Sequence, residues 1–392
     1  MEKSSKHTGP MAGVRVIDLT ALVMGPYSTQ IMADMGAEVI KVELPAGDDM
    51  RYVSVGPARG MSGVFFNVNR GKRSIALDLR SEEGKAILRR LIKTADVFIH
   101  SMRSKAIAKL GFSYADVAAI NPSIVYTNCY GYSRRGPYRD LTAYDDTIQA
   151  ECGLTAVQQM LTGEANYVGS IVADKVAGLT ITYATTMALF HRERTGEGQE
   201  VEIGMFETMA SFMLVEHANG AMFDPSLGPA VYPRAVAPTR RPYRTKDGHI
   251  SAVIYNDKQW TAFVNAVQPA WAKEPRFSTL EQRAPQLETV YGLLRAVFLE
   301  RTTQEWLDLL QGLDVPAAPL RAPSELFDNV HLNAIGFFET VDSPYGPVRF
   351  PGVPTWFSRT PGRVARSSPT LDGDREDVLA ELESYTAAGT NP

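Results

Sequence analysis

Cysteine is scarce in this sequence, with only Cys129 and Cys152 in 392 residues. Two thiols so far apart build no disulfide framework and fit a reducing compartment, so the expectation is a cytoplasmic protein. Long apolar runs are missing as well. The N-terminal "MEKSSKHTGPMAGVRVIDL" has no apolar core of a secretory signal before its first strand pattern. No uncharged apolar run reaches the ~20 residues that a membrane span requires. An excess of one charge is also lacking. Lysine plus arginine number 40 and aspartate plus glutamate 44, a net charge of −4, which gives no general attraction to nucleic acid or to an anionic membrane.

Absent motifs narrow the chemistry. The turn after the first strand, "LTALVMGPYS", lacks G-x-G-x-x-G, so a dinucleotide pyrophosphate has no close backbone approach there. The histidines at 7, 100, 191, 217, 249 and 331 are scattered, with no H-x-x-x-H or H-E-x-x-H. No metal site is expected from them. A lone histidine such as His100 reads as a hydrogen-bonded structural residue. There is no G-x-S-x-G for a serine nucleophile, and neither cysteine has a basic sequence neighbour to lower its pKa.

What is present is a repeated strand–helix alternation. "GVRVIDLT" (13–20), "EVIKVELP" (38–45), "RSIALDL" (73–79), "DVFIHS" (96–101), "SIVYTNCYGY" (123–132) and "EVEIGM" (200–205) read as strands. Between them, 25–37, 81–95, 113–121 and about 174–193 have helical spacing. Ser81 is a suitable N-cap, with Glu82 and Glu83 in the first turn. The pattern predicts an α/β fold: a Rossmann-like, open, mainly parallel sheet with helices on both faces. Residues 1–219 form the first part of this large domain. The proline-rich stretch 220–245 is a linker and candidate active-site loop. Residues 246–314 form a smaller α+β domain, 315–335 a second linker, and 336–392 a return to the large domain. Only the last ten or so residues look low in structure.

Basic residues gather in "NRGKRS" (69–74), at Arg80, and in "MRSKAIAK" (102–109) and "SRRGPYR" (133–139). Each group lies at a strand start, strand end or loop, and loops at strand carboxyl ends line the ligand crevice of such a sheet. They suit a ligand with several phosphates and are equally read as solvated surface charge. In "SIVADKVAGL", Asp174 heads one of the most apolar helices. It reads as an N-cap or as a nucleophilic carboxylate that the helix N-terminus keeps ionised. Ala177 occupies the position where a capping box would place Glu or Gln.

Several stretches together carry a resemblance. They are "GVRVIDLTALVMGPYSTQIMADMGAEVIKVE", "NRGKRSIALDL", "ADVFIHSMR", "AKLGFSYADVAAINPSIVYTNCYGY", "AYDDTIQAECG", "GSIVADKVAGL", "RTGEGQEVEIGMFE", "RPYRTKDGHI" and "DREDVLAELE". The chain resembles the family III CoA-transferases, the group that includes formyl-CoA transferase, carnitine CoA-transferase and alpha-methylacyl-CoA racemase. The resemblance implies a homodimer of subunits threaded as interlocked rings. It implies coenzyme A as substrate and product, with no tightly bound cofactor, and an acyl-CoA and a carboxylic acid as partners. It places the nucleophile at Asp174 and the oxyanion and acyl site at Val23, Met24, Tyr144 and Asp145. CoA falls to Leu77, Arg80, Ser101, Met102, Arg103, Lys109 and Thr142.

The sequence departs from the family pattern in places. Leu44 stands where an arginine often meets CoA, so Lys41, Lys72 or Arg73 are the expected substitutes. Val23 replaces a common glutamine, and Ser101 a common asparagine. Tyr144 stands where racemases carry a histidine, and tyrosine is a poor base at neutral pH. Racemisation is therefore disfavoured and CoA transfer leads; intramolecular CoA transfer stays an alternative, as does a non-catalytic CoA-binding role, against which the intact Asp174 counts. No glycine-rich lid is present. Arg234, Arg240 and Arg241 in the first linker suit a substrate carboxylate, which points to a short dicarboxylate.

Overall fold

The computed structural model describes residues 8–388. By compactness these fall into two units. The first comprises residues up to Cys152, Gly169–Phe212 and the stretch from Val330 onward; the second comprises Gly153–Val168 and Met213–Asn329.

The first unit is built on six parallel strands: β1 (Arg15–Leu19), β2 (Glu38–Glu43), β3 (Arg73–Ala76), β4 (Val97–His100), β5 (Val125–Tyr130) and β6 (Gln199–Gly204). Their spatial order is β3-β2-β1-β4-β5-β6, every neighbouring pair parallel. Strands buried on both faces need continuous apolar or β-branched runs, and β4 and β5 are buried at every residue. The chain builds outward from β1 to β3, then returns to place β4 beside β1. That reversal is the topological switch point, where the crevice at the strand carboxyl ends opens. The core joins Ile17, Ile40, Ile75 and Phe98 of the sheet with Leu88, Leu91 and Ile92 of helix Glu82–Lys93. Ser81 caps that helix, accepting from Gly84 N–H.

β3 is a sheet edge, and the end of the chain covers it. Asp374 accepts from Ser74 N–H at 2.9 Å and Asp372 from Ala76 N–H at 2.7 Å. Val378 and Leu382 of helix Arg375–Ala388 enter the core. The expectation of little structure in the last ten or so residues is corrected here, because this helix runs on to Ala388. Residues 389–392, like His7, lie outside the described residues.

The second unit has its own core around Phe263, Phe298, Trp306 and Leu310. Its sheet is antiparallel: β7 (Tyr243–Arg244), β8 (His249–Ala252) and β9 (Ala317–Pro319). β7 and β9 come from the two segments read as linkers. Their prolines hid them, and Pro319 is tolerated because β9 is an edge strand. The structure also assigns Gly153–Val168 to this unit, where helix Leu154–Thr162 packs on Pro233–Val236. Nothing in the local sequence announces that excursion.

Candidate active site

At the end of β1 the chain turns through Thr20–Val23 before the first helix, Met24–Asp34. Leu22 takes a φ of 68°, a left-handed conformation that costs a non-glycine residue about 1 kcal/mol or more. The turn is held from outside: Ala21 N–H donates to Ser101 Oγ at 3.0 Å and Leu22 N–H to Asp48 Oδ1 at 3.2 Å. Gly25 must be glycine, since a Cβ there would lie 2.4 Å from the Thr20 Cβ.

The long helix Val172–Thr195 packs its first turns against this first helix. Gly178 permits the approach; a Cβ would sit 2.8 Å from the Met24 carbonyl oxygen. Asp174 is the third helical residue, and the N-cap is Ile171, which offers no side-chain acceptor. The capping role considered for Asp174 is thereby corrected. The acceptor comes from a different element. Asp145, buried in the first turn of helix Asp145–Glu151, accepts from Ala173 N–H at 2.7 Å and Asp174 N–H at 3.1 Å, and from Gln149 Nε2 at 2.6 Å.

With the anion position of the helix filled by Asp145, the Asp174 carboxylate faces the Met24 N–H. Its pKa is pushed up to about 7, first by burial and then by the Asp145 charge, with the Met24 N–H opposing. The helix N-terminus therefore does not hold Asp174 firmly ionised, contrary to the sequence expectation. The first cause is burial, and the second is that another carboxylate already sits on the free N–H groups of the helix. A carboxylate titrating near neutrality is a stronger base, and so a better nucleophile, than an ordinary one.

Of the expected oxyanion and acyl residues, Met24 meets Asp174 directly, and Val23 is the N-cap of the first helix. Asp145 is corrected: its carboxylate is an acceptor and positions the long helix, so it does not stabilise an oxyanion. Tyr144 is exposed, and its backbone N–H donates to Thr147 Oγ1 at 3.0 Å.

The expected CoA residues separate into three groups. Ser101, Arg103 and Thr142 line one cleft of about 280 Å³ together with Leu22 and Tyr144. Arg103 Nη2 donates to Thr142 Oγ1 at 2.7 Å. Leu22 and Ser101 follow β1 and β4, so this cleft lies at the switch point. Arg80 and Lys109 are exposed on loop and helix ends, with Arg80 Nε 3.0 Å from Asp78 Oδ1. Leu77 turns inward and Met102 does so in part. Leu77 is 2% exposed and Met102 packs on the same core. The idea that the Leu77 side chain flanks adenine or pantetheine is corrected, because packing takes it up, whereas Met102 is half-buried. Arg139 also lines the cleft. Sequence reading placed it in a basic loop but assigned it no role.

The substitutes considered for the missing arginine at Leu44 are corrected too. Lys41 and Lys72 are completely buried in ion pairs with Asp48 and Asp18. Arg73 bridges Glu38 and Glu381 at 2.8 Å each. All three had looked available because sequence shows charge but not burial.

His100 is structural. It is buried, accepts from Met102 N–H at 3.2 Å, and faces the Tyr126 hydroxyl at 3.0 Å. Burial pushes its pKa down to about 4. Cys129 is buried and its thiol is pushed up by burial, which removes it as a neutral-pH nucleophile. Among the described residues no group of three or more His, Cys, Asp or Glu could hold a metal ion.

Arg234, Arg240 and Arg241 come together around one cavity of about 570 Å³ within the second unit, beside Tyr232, Tyr255 and Tyr291. Arg234 is half-buried, with its guanidinium 5.4 Å from the Tyr255 ring centre. Arg241 donates from both Nε and Nη2 to the Pro238 carbonyl at 2.9 and 2.7 Å, so it is tied to its own loop.

An open α/β sheet with a basic cleft at its switch point and a basic carboxylate beside a backbone donor describes an enzyme that handles an anionic carrier. Comparison makes this specific. The family model for CoA-transferase family III matches residues 11–375, and the chain belongs to that family. It is 32% identical to the succinate–glutarate CoA-transferase of Agrobacterium fabrum, over 97% of this chain and 98% of that one. It is 31% identical to the succinyl-CoA:mesaconate CoA-transferase of Haloarcula marismortui, over 98% of each. Among solved structures, a CAIB/BAIF family protein from Brucella suis superposes with a TM-score of 0.80 at 30% identity, covering 96% of this chain and all of that one. The protein is a CoA-transferase whose substrates are CoA thioesters.

Proposed function

We propose that the enzyme moves CoA from an acyl-CoA, succinyl-CoA foremost, to a short dicarboxylic acid through covalent intermediates on Asp174. The observation that carries this reading is the Asp174 carboxylate against the Met24 N–H, with a pKa near 7.

In the first step an Asp174 oxygen attacks the thioester carbonyl. The tetrahedral oxyanion draws on backbone N–H groups of the Val23–Met24 turn, then collapses with cleavage of the C–S bond. The products are an aspartyl–acyl anhydride and CoA thiolate. The thiolate attacks the aspartyl carbonyl, breaks the anhydride C–O bond, and releases the first acid as its carboxylate. The resulting aspartyl-CoA thioester is attacked by the incoming carboxylate, and the two steps run in reverse. No net proton is consumed.

CoA is assigned to the cleft of Ser101, Arg103 and Thr142, with Arg80 and Lys109 as further cations for phosphate. The acid is assigned to a carboxylate contact with Arg234 or Arg240. Similar proteins named for succinate, glutarate and mesaconate support a dicarboxylate. Tyr144, in place of a histidine, supports transfer over racemisation. A homodimer is supported by the long helix, whose Leu179, Tyr183, Met187 and Phe190 form an apolar stripe more than half exposed. Two free cysteines support the cytoplasm. Among the described residues no helix is long and apolar enough to cross a membrane.

The test is to treat the enzyme with succinyl-CoA and quench with hydroxylamine or borohydride. Mass spectrometry should then find modification at Asp174. A labelled peptide elsewhere, or none while transfer proceeds, defeats the covalent reading. Incubation with acyl-CoA in deuterium oxide should give no rapid α-deuteration; rapid exchange without an acceptor acid marks an isomerase instead.

A further inference from the structure

Beneath the β1 turn the first unit holds more charge than a core requires. Asp18, Lys41, Glu43, Asp48, Arg51 and Lys72 are each at most 5% exposed. Buried ion pairs add little net stability over well-packed apolar residues, so a function other than stability is indicated. Their hydrogen bonds show where it lies. Lys72 Nζ contacts Asp18 Oδ2 at 3.1 Å, Asn69 Oδ1 at 2.8 Å and the Pro26 carbonyl at 3.0 Å. Lys41 Nζ contacts Asp48 Oδ2 at 2.9 Å and the Thr20 carbonyl at 2.8 Å. Asp18 Oδ1 accepts from Thr20 N–H at 2.8 Å, and Asp48 Oδ1 from Leu22 N–H at 3.2 Å. Glu43 accepts from Asp48 N–H at 3.1 Å and is itself fixed by Arg51 at 2.6 Å. Charged side chains thus grip backbone atoms on both sides of Val23 and Met24.

We propose that Asp18, Lys41, Asp48 and Lys72 are positioning residues for acyl transfer, a buried clamp that fixes the Thr20–Pro26 turn and aims the Met24 N–H at Asp174. Charge is needed because the turn is strained at Leu22, and hydrogen bonds from ionised groups are roughly twice as strong as neutral ones. Carbonyls accept from lysine and N–H groups donate to aspartate, so the two signs hold complementary atoms of one segment. Burial also lowers the Lys72 pKa to about 8, with the Asp18 charge opposing. The catalytic half of this proposal rests on Asp174 acting covalently; the clamp itself does not.

The test uses the full-length enzyme and two variants. One is Asp48→Asn, which keeps an acceptor for Leu22. The other is the double variant Asp18→Asn with Lys72→Met, which leaves no lone buried charge. Amide hydrogen exchange at Leu22–Met24 should quicken about tenfold or more in both. The kcat for transfer should fall ~10–100-fold, with KM for the acyl-CoA changed less than about threefold. Lys72→Arg should recover part of the kcat. Unchanged exchange at the turn overturns the clamp. Faster exchange with a wild-type kcat overturns its catalytic part. If the wild type itself transfers no CoA, the covalent reading fails, and the exchange measurement still decides the clamp.

Discussion

Asp174 shows how far a residue's chemistry depends on its surroundings. Its pKa near 7 arises from burial and from Asp145, so the fraction ionised rises as pH climbs through 7. Formation of the acyl-enzyme should rise over the same range, measured as the pH profile of the first turnover. Asp145→Asn keeps an oxygen for the Ala173 and Asp174 N–H groups but removes the charge. The midpoint of that profile should then move down by about one pH unit; no movement would show that the neighbouring charge is not what tunes Asp174. The sign for stability is opposite to that of a salt-bridged aspartate. The folded pKa lies above the unfolded value near 3.9, so the native state binds the extra proton between about pH 4 and 7, and stability falls across that window. Asp174→Asn should therefore melt a few degrees above the wild type at pH 8 and close to it near pH 4, while losing transfer by at least about a thousandfold and still binding CoA. Retained transfer would reduce Asp174 to a structural role.

Among elements, the approach of the first helix to the long helix is decisive, because it brings the Met24 N–H to Asp174. Gly178 sits at that crossing. Gly178→Ala would place a methyl group 2.8 Å from the Met24 carbonyl oxygen and push the helices apart. The expected cost is about 1–3 kcal/mol of stability, with a fall in kcat that exceeds any change in acyl-CoA KM. A kcat unchanged in the folded variant would show that the crossing tolerates the displacement. The apolar run of the long helix was legible, since its period and its glycine stop are local. The switch of its cap from Asp174 to Asp145 was not, because the two residues are 29 apart in sequence.

For the whole molecule, the alternation of strands and helices announced the sheet, and six regular apolar runs became its six parallel strands. The short antiparallel strands β7 and β9 were missed because proline-rich segments give no strand period. The apolar stripe of the long helix predicts self-association: light scattering should give twice the 43.0 kDa chain mass. Met187→Asp with Phe190→Asp should weaken the dimer, and a wild-type mass of one chain would show that the stripe does not self-associate.

The sequence by itself determined the α/β class, the strands and the family resemblance, and it singled out Asp174 as the candidate nucleophile, since these depend on local period or on motifs that persist residue by residue. Only the tertiary structure decided which charges are buried. Lys41, Lys72 and Arg73 are held inside, whereas Arg103 and Arg139 face a cleft. It also decided that Asp174 is buried beside a second carboxylate at the helix end; burial and that charge together raise its pKa to about 7. The physical reason is that burial and charge pairing are set by residues distant in sequence, and a lysine's spelling is the same in either place.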